Sequence, residues 1–185
     1  MPFSREFARG VAASAMAASV IGGTVTLAGP AQAASGPIHC KWSTKSFSLP
    51  GKPDVDVSLS ICIQHYKSAG GYRYYKAWLG RASWDGGWFV GGKRFNGFRV
   101  DMRAEHGRTS RDKCRDDGNC NTHDLAAYIN SDLDGVKSFK SDGTGVVYVV
   151  TKTTGWKADA TVTYDVADDG KGSRKWDLND TAAVR

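Results

Sequence analysis

The chain has 185 residues, with 25 Lys or Arg against 19 Asp or Glu, a formal charge of +6 at pH 7 and 41% hydrophobic residues. That composition is ordinary for a globular protein, and no linker, low-complexity tract or internal repeat interrupts it, which excludes a repeat array. Only one long apolar run exists, so no second membrane-spanning helix is indicated, and the modest positive charge permits attraction to anionic polymers or cell surfaces without demanding it.

Residues 1–33 read as a secretory signal peptide. Arg5 and Arg9 form a short polar head, an Ala-rich apolar run extends from Val11 to Ala28, Gly29-Pro30 breaks it, and Ala31-Gln32-Ala33 supplies small residues for cleavage. A retained membrane anchor is the rival. It is disfavoured because the run is rich in Ala, Gly, Ser and Thr, with Gly22-Gly23 at its middle and a single Leu. Arg5 and Arg9 are not adjacent, and Cys40 follows Gly36-Pro37-Ile38-His39, so neither a twin-arginine route nor a lipid-attachment box is indicated. The expectation is a secreted, extracellular protein that begins at Ala34 and has no membrane span after cleavage. Loss of two arginines and one glutamate leaves it a charge of +5.

The four cysteines, Cys40, Cys62, Cys114 and Cys120, suit two disulfides in an exported chain, for which three connectivities are possible. Cys40 and Cys62 fall on two consecutive candidate strands. Cys114 and Cys120 flank Arg115-Asp116-Asp117-Gly118-Asn119, a turn-rich segment. Sequential pairing is therefore expected. A zinc cluster is disfavoured because neither pair has the close spacing such sites use, and no metal or other cofactor is expected.

Along the chain, Val55, Val57, Leu59, Ile61 and Ile63 alternate with polar residues, so the segment reads as a strand. Gly70-Gly71 opens a second strand from Tyr72 to Trp84, and Asp85-Gly86-Gly87 signals a hairpin into Trp88-Phe89-Val90. After Gly91-Gly92, residues Phe98, Val100, Met102 and Ala104 face one way and Arg99, Asp101, Arg103 and Glu105 the other. Leu125, Tyr128, Ile129 and Leu133 have helical spacing, with Asn121 or Thr122 as N-cap, so at most one short helix is expected near residues 122–133. Val146 to Val150 reads as a central strand covered on both faces. Trp156 to Val166 alternates strictly, with Trp156, Val162 and Tyr164 inward and Lys157, Thr161 and Thr163 outward, and residues 173–178 return as its partner after the turn at Asp168–Gly172. Residues 34–185 should therefore form a single all-β domain, an antiparallel β-sandwich or barrel.

The string Leu49-Pro50-Gly51-Lys52-Pro53-Asp54-Val55, then Ser83-Trp84-Asp85-Gly86-Gly87, Arg94-Phe95 leading into Arg99–Arg103, and the hairpin at Asp169-Gly170-Lys171-Gly172 resemble uncharacterised small secreted proteins of actinobacteria. The similarity covers most of residues 34–185, with Glu105–Asn121 the least similar stretch. It rests on structural turns, and no activity is implied.

Chemistry is sparsely signalled. There is no nucleophile elbow, zincin helix or phosphate-binding loop, and no specific nucleic-acid signal. Among the four histidines, His39, His65, His106 and His123, a ribonuclease-like set of Arg103, Glu105, His106 and His123 is conceivable. Glu105 and His106 would point to opposite faces of a continuing strand, so surface or turn histidines are the simpler reading. The acidic strings Asp116–Asn119 and Asp165–Gly170 lack the ligand spacing of a calcium loop and read as turns. Basic residues between Lys93 and Arg115 are interleaved with Asp101, Glu105 and Asp112, which favours a partly paired face over a polyanion site.

The strongest binding signal is Tyr72, Tyr74, Lys76 and Trp78 on one strand face, since rings beside cations make platforms for sugars. The same rings could equally serve a core. A non-catalytic extracellular domain that binds a glycan, cell surface or protein partner, with polysaccharide or cell-wall polymer foremost and a monomer assumed, is the favoured expectation. The alternatives are a secreted hydrolase with an unrecognised site, or an inhibitor or effector presenting the loop between Cys114 and Cys120.

Overall fold

Alternation of apolar and polar residues runs through most of the chain, and strands follow wherever it does. The computed structural model describes residues 35–87, 92–111 and 122–185, with ten strands and one helix among them. A three-strand meander comes first: β1 Ile38–Leu49, β2 Lys52–Ala69 and β3 Tyr72–Asp85. Its two turns carry Gly51, Gly70 and Gly71 in the left-handed region, where a side chain would be strained. Next come β4 Phe95–His106, β5 Thr109–Arg111, β6 Thr122–Asp124, helix α1 Ala126–Ser131, β7 Asp134–Ser138, β8 Val147–Thr151, β9 Lys157–Val166 and β10 Arg174–Asp177.

The strands form two antiparallel five-stranded sheets. The first runs β1-β2-β3-β7 with β8 also on β3, and the second β10-β9-β4-β5 with β6 also on β4. Val57, Leu59, Ile61 and Ile63 of the first sheet and Phe98, Val100, Met102, Ala160 and Val162 of the second all belong to one buried core. An all-β, sandwich-like fold follows, as the alternation predicts. Phe47 closes the open side between β1 and β10. Its ring meets Phe95, Phe98, Tyr164 and Trp176 edge-on at 5.2, 5.7, 4.9 and 5.9 Å. Cys40 lies opposite Cys62 in the β1–β2 register and is bonded to it. The expected Cys114–Cys120 bridge and the loop it would hold lie outside the described residues.

The structure corrects two expectations, while the hairpin expected at Asp85-Gly86-Gly87 leads into Trp88-Phe89-Val90, which lie outside the described residues. Residues 147–151 are not central: β8 pairs with β3 alone among the described residues, and Val150 is 52% exposed. The helix is shorter than its spacing suggests, since Thr122–Asp124 pairs with β4 before the chain coils. Thr122 therefore does not cap it, and Asn121 lies outside the described residues; Leu125 occupies the N-cap position without a side-chain bond, and the Asp124 carboxylate accepts from Ala126 N–H at 3.0 Å.

Arg94 locks the far end of that helix. It is buried, and its Nη1 donates to the carbonyls of Ile129, Asp132 and Leu133 at 3.0–3.1 Å. Asn130 completes the seam, accepting from Arg94 N–H and Phe95 N–H and donating to Phe95 O. Carbonyls left open at a helix C-terminus are satisfied by a cation.

Candidate functional site

Period-two geometry puts Tyr72, Tyr74, Lys76 and Trp78 on the outer side of β3, away from the Tyr75, Ala77 and Leu79 side that joins the core. The four do not share one environment. Tyr72 is 42% exposed and Tyr74 and Lys76 are half-buried, but Trp78 is only 5% exposed. Trp78 packs with Cys62 and Val146, and Tyr148 lies against that cluster. The ring is thus part of the floor beneath the face, and a platform that includes an exposed Trp78 is corrected accordingly. Val146 ends the connection from β7 to β8, so the cover comes from a distant part of the sequence.

The rings above that floor include two that the β3 pattern alone does not contain. Tyr66 meets Tyr74 at 6.1 Å and Tyr148 at 6.3 Å, both edge-on. Tyr148 stands opposite Lys76 in the β3–β8 register, and Val150 opposite Tyr74. Directly opposed residues share a face, so β8 widens the patch. Trp42 is 46% exposed and Ile38 54%, on the edge strand that carries Cys40. Trp42 was findable: it stands two residues from Cys40 and therefore on the same face. Tyr148 was not, because its strand read as central.

Three ammonium groups lie over these rings. Lys67 Nζ is 4.6 Å from the Tyr74 centroid, Lys76 Nζ 5.6 Å from Tyr66 and 5.7 Å from Trp78, and Lys152 Nζ 5.1 Å from Tyr72. Lys76 also donates to Ser141 Oγ at 3.0 Å. Among the described residues no ion pair engages any of the three. Each cation–ring contact at an exposed site is worth about 0.5–1 kcal/mol, so a ligand can displace it.

The histidines and acids singled out above are not brought into one catalytic group. On the outer face of β4, Arg103 donates to Glu105 at 2.8 Å, to Thr161 Oγ1 at 2.7 Å and to Asp159. His106 instead turns to Trp156, with ring centroids 5.7 Å apart. His123 is buried against Phe139 at 4.6 Å, and a Cβ at Gly145, whose φ is +79°, would collide with its ring. Burial pushes the His123 pKa down, the Gly145 backbone pulling the other way.

Glu105, Asp159 and Asp180 bring carboxylate oxygens within 4.8 Å of one another, the one such group of potential metal ligands among the described residues. Arg103 and Lys157 already bind into it, Lys157 through Asp180. Burial pushes the Asp159 carboxyl up to about 6, while Arg103 and the Ala160 N–H hold it back. The acidic turn at Asp168–Gly170 is likewise tied to cations, Asp168 to Lys52 and Asp169 to Arg174. Asp116–Asn119 lies outside the described residues.

Comparison with protein-family models, with curated proteins and with solved structures finds no match to this chain. Among the described residues, no helix is long and apolar enough to cross a membrane.

Proposed function

We propose that the protein is an exported, non-catalytic binding domain, related to the small secreted actinobacterial proteins it resembles, whose outer β2-β3-β8 face takes a polysaccharide or cell-wall polymer. The observation that carries this reading is a patch of Tyr66, Tyr72, Tyr74 and Tyr148 with lysines over the rings instead of on carboxylates. Sugar rings pack on such surfaces through their apolar faces, and displaced ammonium groups then meet any anionic substituent. The disulfide beneath the patch fits an oxidising compartment.

The test is a pull-down with insoluble glycans and purified cell walls, comparing wild type with Tyr74→Ala and Tyr148→Ala. Retention lost in both variants while their circular dichroism is unchanged is the expected result. No retention of the wild type, or equal retention of all three, refutes the assignment. Trp78→Ala is a poor probe here, because truncating a buried indole costs about 3–5 kcal/mol of stability. Release of soluble product from the polymer would favour the hydrolase reading and direct attention to Glu105 and the raised Asp159.

A further inference from the structure

The β1–β2 turn and the β9–β10 turn flank a cleft of about 530 Å³ at the end of the sandwich remote from Tyr72 and Tyr74. Lys45, Phe47, Tyr164, Asp169, Lys171 and Arg174 line it. Three cations therefore face one carboxylate, and that carboxylate is already engaged. The Asp169 side chain is 8% exposed; one oxygen is bound by Arg174 and the other accepts from Lys171 N–H at 2.9 Å. Lys45 and Lys171 have no carboxylate partner among the described residues. Ser46 and Ser48, also at the rim, donate their hydroxyls to Asp56 and Asp54. The cleft thus has an excess of positive charge close to low-dielectric walls, which strengthens attraction for an anion.

The aromatic floor narrows the ligand further. Tyr164 has Lys45 Nζ 5.1 Å from its centroid and the Arg174 guanidinium 5.1 Å from it. With two cations held on that ring, flat stacking of a ligand on Tyr164 competes with both. A compact anion that meets the cations themselves does not. Arg174 Nε is buried without a hydrogen-bond partner, so its guanidinium is not saturated by the protein.

We propose that this cleft binds a tetrahedral oxyanion, a phosphate or sulfate group, held by Lys45, Lys171 and Arg174. Such a group presents several acceptor oxygens to converging donors, and charge-assisted bonds of this kind are the strong ones. The site is separate from the tyrosine face and stands or falls independently of it.

Amide NMR titration of the whole protein at constant ionic strength tests it, with inorganic phosphate, glycerol phosphate and sulfate as probes. Saturable shifts confined to residues 45–50 and 164–174 are expected. Lys45→Gln/Lys171→Gln should keep the remaining spectrum and weaken binding about a hundredfold, about tenfold for each lost charge-assisted contact. Tighter binding of glycerol phosphate than of phosphate points to a phosphate ester as source; the reverse points to the free ion. Shifts that never saturate, or an affinity unchanged in the double variant, overturn the proposal, whereas Tyr74→Ala should leave the titration as it was.

Discussion

On the outer face of β4 and β9, Arg103 donates to Glu105, Thr161 and Asp159, Lys157 binds Asp180, and Arg99 lies 3.3 Å from Asp101. On the outer face of β2, β3 and β8, Lys67, Lys76 and Lys152 lie over tyrosines. Both faces are basic and polar in sequence, yet one is a closed ionic lattice and the other has cations held only by weak ring contacts. Paired charges have little left to offer a ligand, whereas a lysine on a ring can be lifted away at small cost. Positive charge in the composition therefore says less than the identity of each cation's partner.

The comparison presupposes which side of each strand faces out, and the largest expected effect tests that register. Val162 is fully buried, opposite Val100 and Trp176, while Thr163 lies between Arg99 and Lys175 on the outer face. Val162→Asp should cost about 4 kcal/mol or more by burying an unpaired carboxylate, and Thr163→Asp should stay within about 0.5 kcal/mol. Urea denaturation that gives the two variants the same midpoint breaks the assignment.

A second pair contrasts the two faces directly. Arg103→Ala strands Asp159, whose side chain is 7% exposed, and should cost about 3 kcal/mol, the lower end for a broken buried pair because Arg103 itself is 25% exposed. Lys67→Ala removes an exposed ring contact and should cost less than about 1 kcal/mol. Equal losses in chemical denaturation would show that the lattice is no more binding than the tyrosine face.

Alternation in the sequence was enough to read the strand faces, the β9–β10 hairpin and the Cys40–Cys62 pairing, because period two decides each of them locally. It was not enough to divide strands between sheets: β3 and β4 are consecutive and yet sit in opposite layers, a choice made by long-range packing. Trp78 and Asp159 illustrate the same limit at the site. Both point outward by period. Val146 covers the first, and Arg103 from a neighbouring strand encloses the second, neither of which its own segment encodes. Arg94 is the converse case, a basic residue in a charged run that is buried because helix carbonyls converge on it.

Acid titration sharpens the contrast, since the lattice contains a carboxyl shifted by burial. Burial raises Asp159 from 3.8 to about 6, so the folded state holds this proton more tightly than the unfolded chain. Its contribution is therefore complete below pH 3.8 and is lost as pH rises towards 6, on the order of 1–3 kcal/mol. His123 acts in the opposite sense. Its pKa is pushed below 6.5, so its contribution is present above that pH and declines on acidification. Stability measured between pH 4 and 6 should fall less steeply in Asp159→Asn than in wild type. Parallel curves for the two proteins would mean that the carboxyl is not strained by burial.

The smallest effect separates folding from binding. Lys152 is exposed and lies over the exposed Tyr72, so Lys152→Gln should change stability by less than about 0.5 kcal/mol. Its ammonium nevertheless belongs to the proposed polymer face, and a charge there acts through solvent that salt screens over about 10 Å at 0.1 M. In the variant, retention on an anionic cell wall should weaken at low salt and converge with wild type at high salt, while retention on a neutral glycan changes little. That pattern assigns the cation to electrostatic attraction and the rings to the salt-resistant remainder. A variant that loses both polymers equally at every salt concentration would instead show that Lys152 holds Tyr72 in place, which makes the lysine a positioning residue for the ring.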